Sequence, residues 1–183
     1  MSETVTLRRL EAEDWKAVHA WSGLLEFCRY QAWGPDTEEE SRAYTLTADL
    51  AWSQSPQRRY PYLVCAADGE PIGTGEVLVR QPGHRNGEIS YGLHPERWGR
   101  GYGTAIGREL LRIGFEELGL HRICGTCDPR NLGSAQVLRK LGMTYEGRLR
   151  HTMLIRDGWR DSEMFSILEE EWRARPAEPG PAR

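Results

Sequence analysis

Between residues 98 and 105 the chain reads Trp-Gly-Arg-Gly-Tyr-Gly-Thr-Ala, a glycine-rich turn joining a strand-like segment to a broad amphipathic helix. Such a turn leaves the first helical N–H groups without intrahelical partners, at the positive end of the helix dipole. Glycines at 99, 101 and 103 remove the Cβ atoms that would keep an anion away, so the segment predicts a cradle for a diphosphate. Arg97 and Arg100 add cations beside it. The Gly-Lys-Ser/Thr ending of a nucleoside-triphosphate loop is missing, which argues against ATP or GTP hydrolysis. A dinucleotide loop needs Gly-x-Gly-x-x-Gly in the first strand–helix unit, whereas Gly101-x-Gly103 is followed by Ile106 and two hairpin strands come first. Taken alone, the loop is equally consistent with a turn that holds nothing.

The flanking pattern sets the fold class. Thr4–Leu10 alternates as a strand, and Asp14 is placed to cap a helix through Trp21. Tyr30–Pro35 is an aromatic, Pro-bearing loop. Thr37-Glu-Glu-Glu then opens a second helix toward Trp52, with acidic residues where the dipole favours them. Tyr60–Ala67 and Ile72–Arg80 form a hairpin about Asp68-Gly69. Glu88–Leu93 is a further strand with Ile89, Tyr91 and Leu93 on one face and Glu88, Ser90 and Gly92 on the other. The helix after the glycine turn runs to about Leu118, and its rows Ile106/Leu110/Ile113 and Leu111/Phe115/Leu118 predict a broad buried face. Arg122–Cys127 is a strand, and Ser134–Leu141 is a short helix ending on Gly142. Tyr145–Ile155 and Trp159–Leu168 make a long hairpin about Asp157-Gly158. Paired strands followed by strand–helix–strand–helix–hairpin predict an α/β (α+β) fold, a mixed sheet with helices on its faces. One domain over 1–172 is expected, then a disordered Pro-rich tail over 173–183.

Composition narrows the function. With 183 residues and a net charge of −3 there is no overall basic field for nucleic acid. No apolar run approaches the roughly 18 residues of a membrane span, and the polar first residues lack the apolar core of a secretory signal. A cytoplasmic location is the expectation. Cys28, Cys65, Cys124 and Cys127 are too sparse for a disulfide framework. The Cys124-Gly-Thr-Cys127 pair lies inside a strand, where positions three apart face opposite ways, so buried structural cysteines and no metal are expected.

A second constellation gives the loop its meaning. Asn131-Leu-Gly-Ser134-Ala-Gln-Val-Leu-Arg-Lys140-Leu-Gly142-Met resembles the second signature of the GNAT acetyltransferase superfamily, and Trp98–Ala105 resembles its first, the acetyl-CoA loop. Both stand in the family's order, with a helix and a strand between them. Tyr91-Gly-Leu-His-Pro, the Trp98-Gly-x-Gly-Tyr loop, Asn131–Met143 and Glu146-Gly-Arg148 look most like the ribosomal-protein N-terminal acetyltransferases. Trp98 stands where the signature has Gln or Arg, as is common in that branch.

The resemblance implies a mostly antiparallel sheet of about seven strands, splayed in its middle near Leu93 and flanked by about four helices. It implies acetyl-CoA as co-substrate, held by Leu93, Trp98, Gly99, Arg100, Gly101, Tyr102, Gly103, Thr104 and Asn131, with unpaired backbone at the splay gripping the pantetheine arm. Glu88 is the preferred general base, acting through water, and Ser134 the proton donor near the sulfur. A solvated edge carboxylate and a helix-capping pair at Asn131 and Ser134 are the plain alternatives. Glu76 and His94 are lesser base candidates. Tyr30 and Trp33 lie where relatives bind the acceptor, although a tryptophan there packs on the core as readily. Arg148, Arg150 and His151 form either a basic edge near the acceptor or a solvated strand face.

The reaction expected is direct acetyl transfer to a primary amine. An α-amine is roughly one-tenth neutral at pH 7 and a lysine about one in several thousand, so one weak carboxylate suits a peptide or ribosomal-protein N-terminus. A small amine such as an aminoglycoside or polyamine, and a non-catalytic CoA-binding module, are the rival readings. The resemblance leaves monomer and homodimer open.

Overall fold

The computed structural model describes residues 3–175, so the expected tail lies, from 176 on, outside the described residues. Val5–Arg9 (β1), Arg59–Ala66 (β2), Pro71–Gln81 (β3), Asn86–Leu93 (β4), Arg122–Cys127 (β5), Thr144–Ile155 (β6) and Gly158–Leu168 (β7) form one sheet in the order β1-β2-β3-β4-β5-β7-β6. Every neighbouring pair is antiparallel except β4 with β5, which is parallel. The helices among the described residues are Trp15–Ser22 (α1), Leu25–Cys28 (α2), Glu38–Ala51 (α3), Tyr102–Arg112 (α4), Leu132–Lys140 (α5) and Glu169–Arg173 (α6). Two exceed the expected four. α2 is a single turn, too short to show a period, and α6 follows β7 without a break.

Strand β2 shows why the sheet is covered on both faces. Tyr62, Val64 and Ala66 join the core formed with Ile106, Leu110 and Leu111 of α4, while Leu63 and Cys65 join Val18, Trp21 and Ala48 of α1 and α3. A strand buried on alternate sides in this way is a central one. Thr37 caps α3 with a reciprocal box: its Oγ1 accepts from the Glu40 N–H at 3.2 Å and its N–H donates to Glu40 at 2.8 Å. Asp14 does not cap α1 through its side chain. Its carboxylate accepts from the Glu11 N–H at 2.9 Å, closing the 3₁₀ turn Ala12–Asp14, and pairs with Arg8. Helix α4 continues through a π-helical stretch, Ile113–Glu117, before Gly119 turns the chain at φ 63°.

The splay is visible in the register. β4 pairs with β5 only at Asn86↔Arg122, Gly87↔Ile123 and Glu88↔Cys124. Beyond Glu88, β4 stays paired with β3 as far as Leu93, and β5 stays paired with β7 as far as Cys127. The two central strands therefore part, and the sheet opens into a fork with α4 and α5 on one side and α1 and α3 on the other.

Candidate active site

Gly99 and Gly101 adopt φ of 74° and 95°, a region that costs residues with a Cβ, and nothing lies within 4 Å of where a Cβ would stand on either. Gly101 is the N-cap of α4, and its carbonyl accepts from Thr104 and Ala105 at 3.1 and 3.2 Å. The amides of Tyr102 and Gly103 therefore precede the first intrahelical donor, the Thr104 N–H, at an open helix start. Gly103 is glycine for another reason. A Cβ there would stand 3.2 Å from Val137 and 3.8 Å from Tyr91, so its bareness serves the approach of α5 to α4. The Tyr102 ring is buried in the core. Trp98 donates its indole N–H to the Leu93 carbonyl at 2.8 Å, tying the turn to the end of β4. Arg97 pairs with Glu70, so the exposed cation beside the turn is Arg100.

The backbone of the fork has a definite polarity. The His94 N–H donates to Ile72 at 2.8 Å, and bonding alternates along an antiparallel ladder. Ile89, Tyr91 and Leu93 thus turn their N–H and C=O groups away from β3, into the gap beside β5. The Leu93 carbonyl is taken by Trp98, and its N–H faces the fork. Across the gap, Asn131 Oδ1 accepts from the Ser134 N–H at 3.0 Å and caps α5. The Ser134 hydroxyl lies 3.4 Å from that of Tyr91. Burial pushes the Tyr91 phenol up to about 12, so it stays protonated at neutral pH. The sequence names Tyr91 within a resembling segment but gives it no chemical role, because its position between Ile89 and Leu93 reads as core.

On the other side of the sheet, α1, the loop after α2, α3, β3 and β4 enclose a cleft of about 580 Å³ that reaches Ser90, Tyr91 and Gly92. Its apolar wall includes Val18, Trp21, Phe27 and Trp33, and three carboxylates line it: Asp36, Glu40 and Glu76. Trp33 is 46% exposed, with its ring centroid 5.8 Å from that of Phe27, so it forms a wall of the cleft and is not buried core. Tyr30 is not among the lining residues. Its hydroxyl donates to the Arg130 carbonyl at 3.4 Å. Glu76 is held by Arg59 through two bonds of 2.7 and 3.0 Å. Burial raises the Asp36 carboxyl and the charge of nearby Glu40 raises it further, against a hydrogen bond from Ser22. Backbone and hydroxyl donation from Thr37 lowers that of Glu40. Sequence reasoning missed Asp36 and Glu40 because acidic residues at a helix start already have a structural explanation. The available signal was their place directly after the aromatic loop.

The remaining candidates are dispersed. Glu88 shares the cleft-side face of β4 with Ser90 but lies two residues outside the cleft lining, ion-paired with Arg80 at 2.6 Å. His94 accepts from the Glu96 N–H at 3.2 Å, which occupies its Nδ1. Arg148 pairs with Glu163 at 2.6 Å, and His151 stacks on Trp159; both line a separate charged hollow. Cys124 is half-buried and Cys127 buried, and all four cysteines are free thiols. Among the described residues no three His, Cys, Asp or Glu side chains group as metal ligands, and no helix is long and apolar enough to cross a membrane.

Residues 4–144 match the acetyltransferase (GNAT) domain. The spermidine N(1)-acetyltransferase of Escherichia coli (strain K12) is 28% identical over 98% of this chain and 94% of its own. A Bacillus subtilis (strain 168) protein provisionally named a ribosomal N-acetyltransferase, YdaF, is 33% identical, but over 57% of each chain. The crystal structure of a GNAT-family acetyltransferase from Bacillus anthracis superposes with a TM-score of 0.79 at 28% identity, covering 93% of this chain and 98% of that one. A spermidine N-acetyltransferase from Vibrio cholerae, solved with CoA and spermine, gives the same TM-score and coverage at 22% identity.

Proposed function

This chain belongs to the GNAT family of acetyltransferases and is an acyltransferase that moves acetyl groups from acetyl-CoA to amines; from that premise we propose that its acceptor is a small amine carrying a second positive charge, bound in the cleft beside Asp36. The observation that carries this reading is that cleft and fork meet at Ser90–Gly92, where one face of β4 lines the cleft and its edge beyond Glu88 borders the fork.

The donor supplies an activated acetyl thioester. The residues present fit it: an open helix start with two positive-φ glycines for a diphosphate, and outward-turned β4 backbone for an extended arm. We assign the anion to the amides from Gly99 to Thr104 with Arg100, and the arm to the β4 backbone and Asn131. The Leu93 N–H is the donor for the negative charge that develops on the carbonyl oxygen. Ser134, with Tyr91 behind it, hands a proton to the departing sulfur, and Glu88 accepts one from the amine through water.

The cleft argues for the acceptor class. An ammonium brought beside Asp36 and Glu40 offsets the desolvation and the repulsion that raise the Asp36 carboxyl. Trp33 and Phe27 offer faces to an alkyl or cationic stem. The spermidine-acetylating relative, matched along nearly all of this chain, points the same way. A peptide N-terminus is the second reading; its support is the half-length match to the ribosomal-type relative.

The test compares a diamine with a monoamine of equal length. Asp36→Asn raises KM for the diamine by roughly tenfold or more, changes that for the monoamine by less than about threefold, and leaves CoA affinity intact. The pH dependence has a definite sign. Asp36 must be ionised to hold a cation and its pKa lies above the ordinary aspartate value, so diamine affinity weakens as pH falls toward that raised value, and Asp36→Asn loses this limb. Equal effects on both amines would remove the second-charge reading, and preferred turnover of N-terminal peptides would favour the alternative.

A further inference from the structure

The loop that carries Trp33 has little structure of its own between α2 and α3, and its carbonyl oxygens face the turn of the β6–β7 hairpin. Arg156, in that turn, donates to the Trp33 carbonyl at 3.0 Å and also bonds the carbonyls of Gly34 and Cys28. Arg160, buried at 8% exposure on β7, donates to the Tyr30 carbonyl at 2.8 Å and to Ser162 Oγ at 2.7 Å. Two guanidiniums of one hairpin thus satisfy four carbonyls between Cys28 and Gly34. Guanidinium–carbonyl bonds are charge-assisted, and the rigid planar fork suits several acceptors at once.

The hairpin turn is itself anchored. Asp157, next to Arg156, pairs with Arg130 at 2.6 Å. Arg130 in turn clasps Asp128, fully buried at the end of β5, through bonds of 2.8 and 3.0 Å. Arg130 immediately precedes Asn131. The acceptor loop therefore hangs from a frame that begins at the coenzyme side of the fork.

We propose that Arg156 is a positioning residue for the acceptor: it holds the 28–34 loop so that Trp33 closes the cleft wall, and it touches no substrate. The inference rests on the cleft being the acceptor site. It also sets a chemical requirement, because a lysine ammonium is a point donor and cannot span the three carbonyls that Arg156 bonds.

The experiment compares the wild type with Arg156→Ala, Arg156→Lys, Trp33→Ala and the Arg156→Ala/Trp33→Ala double variant. Amide hydrogen exchange of residues 28–35 quickens by about tenfold or more in Arg156→Ala, with β4 and β5 unchanged. In kinetics, KM for the amine rises by roughly tenfold while kcat and KM for acetyl-CoA stay within about twofold, and Arg156→Lys recovers part of the loss. In the Trp33→Ala background the same substitution moves the amine KM by less than about twofold, because the wall it positions is gone. Unchanged loop exchange, an equal rise in the acetyl-CoA KM, or additive effects with Trp33→Ala would each overturn the proposal. A cleft that responds to Asp36→Asn but not to Arg156→Ala removes this proposal alone. An amine KM indifferent to Asp36→Asn and Trp33→Ala alike removes the cleft reading and the proposal with it.

Discussion

At Ser134 the structural duty and the chemical one we propose fall on different atoms. The backbone N–H closes on Asn131, and the hydroxyl faces Tyr91 at the fork. Capping and proton donation therefore do not compete, and Ser134→Ala isolates the second. We expect kcat to fall by roughly a hundredfold with CoA affinity retained, and a comparable loss in Glu88→Gln. Unchanged rates in both, read by thiol release, would strip these residues of their assigned roles. Side-chain alternation put Glu88, Ser90 and Gly92 on one face of β4 correctly. It could not show that Arg80 reaches across to Glu88, since the two meet only through the β3–β4 register that aligns Leu78 with Glu88. Trp33 was expected to be as readily core as wall. It is half exposed, and the loop that carries it is bonded to the hairpin, a contact between residues more than 120 positions apart.

Among the elements, the glycine turn separates two uses of one residue type. Gly101 needs a left-handed backbone, which costs another residue about 1–2 kcal/mol, and a Cβ there also enters the open space at the helix start. Gly101→Ala therefore weakens acetyl-CoA binding by roughly tenfold. Gly103→Ala presses on Val137, so it lowers the melting temperature while moving CoA affinity by less than about threefold. Calorimetric titration of both variants decides, and equal affinities would refute the cradle. The sequence showed the turn but not this division of labour, which depends on where α5 lies. Strand pairs were the most legible elements, because Asp68-Gly69 and Asp157-Gly158 mark their turns locally and both glycines take positive φ. One-turn α2 and the π-helical stretch after α4 left no periodic trace of their own.

For the molecule as a whole, the fold and the donor were readable because two contiguous motifs specify them. The acceptor was not, since the cleft we propose for it draws on residues from Val18 to Gly92 that no local pattern unites. The same architecture predicts a large response to the donor. If the coenzyme bridges the fork, acetyl-CoA at a hundred times its Kd adds about 2.7 kcal/mol, raising the melting temperature by roughly 5–10 °C. Thermal denaturation with and without acetyl-CoA checks it; no shift in folded protein would end the assignment.

An ordinary open sheet has two rims, whereas this one has four: the outer rows of β1 and β6, and the two facing lips where β4 and β5 part company. A lip is a template, and it does not ask whose backbone arrives. If the nucleotide-tailed guest lies there as proposed, its absence leaves an indoor rail on which stray extended segments can settle. Plentiful coenzyme would then also be a custodian, keeping the seam filled with something that leaves again after each turnover.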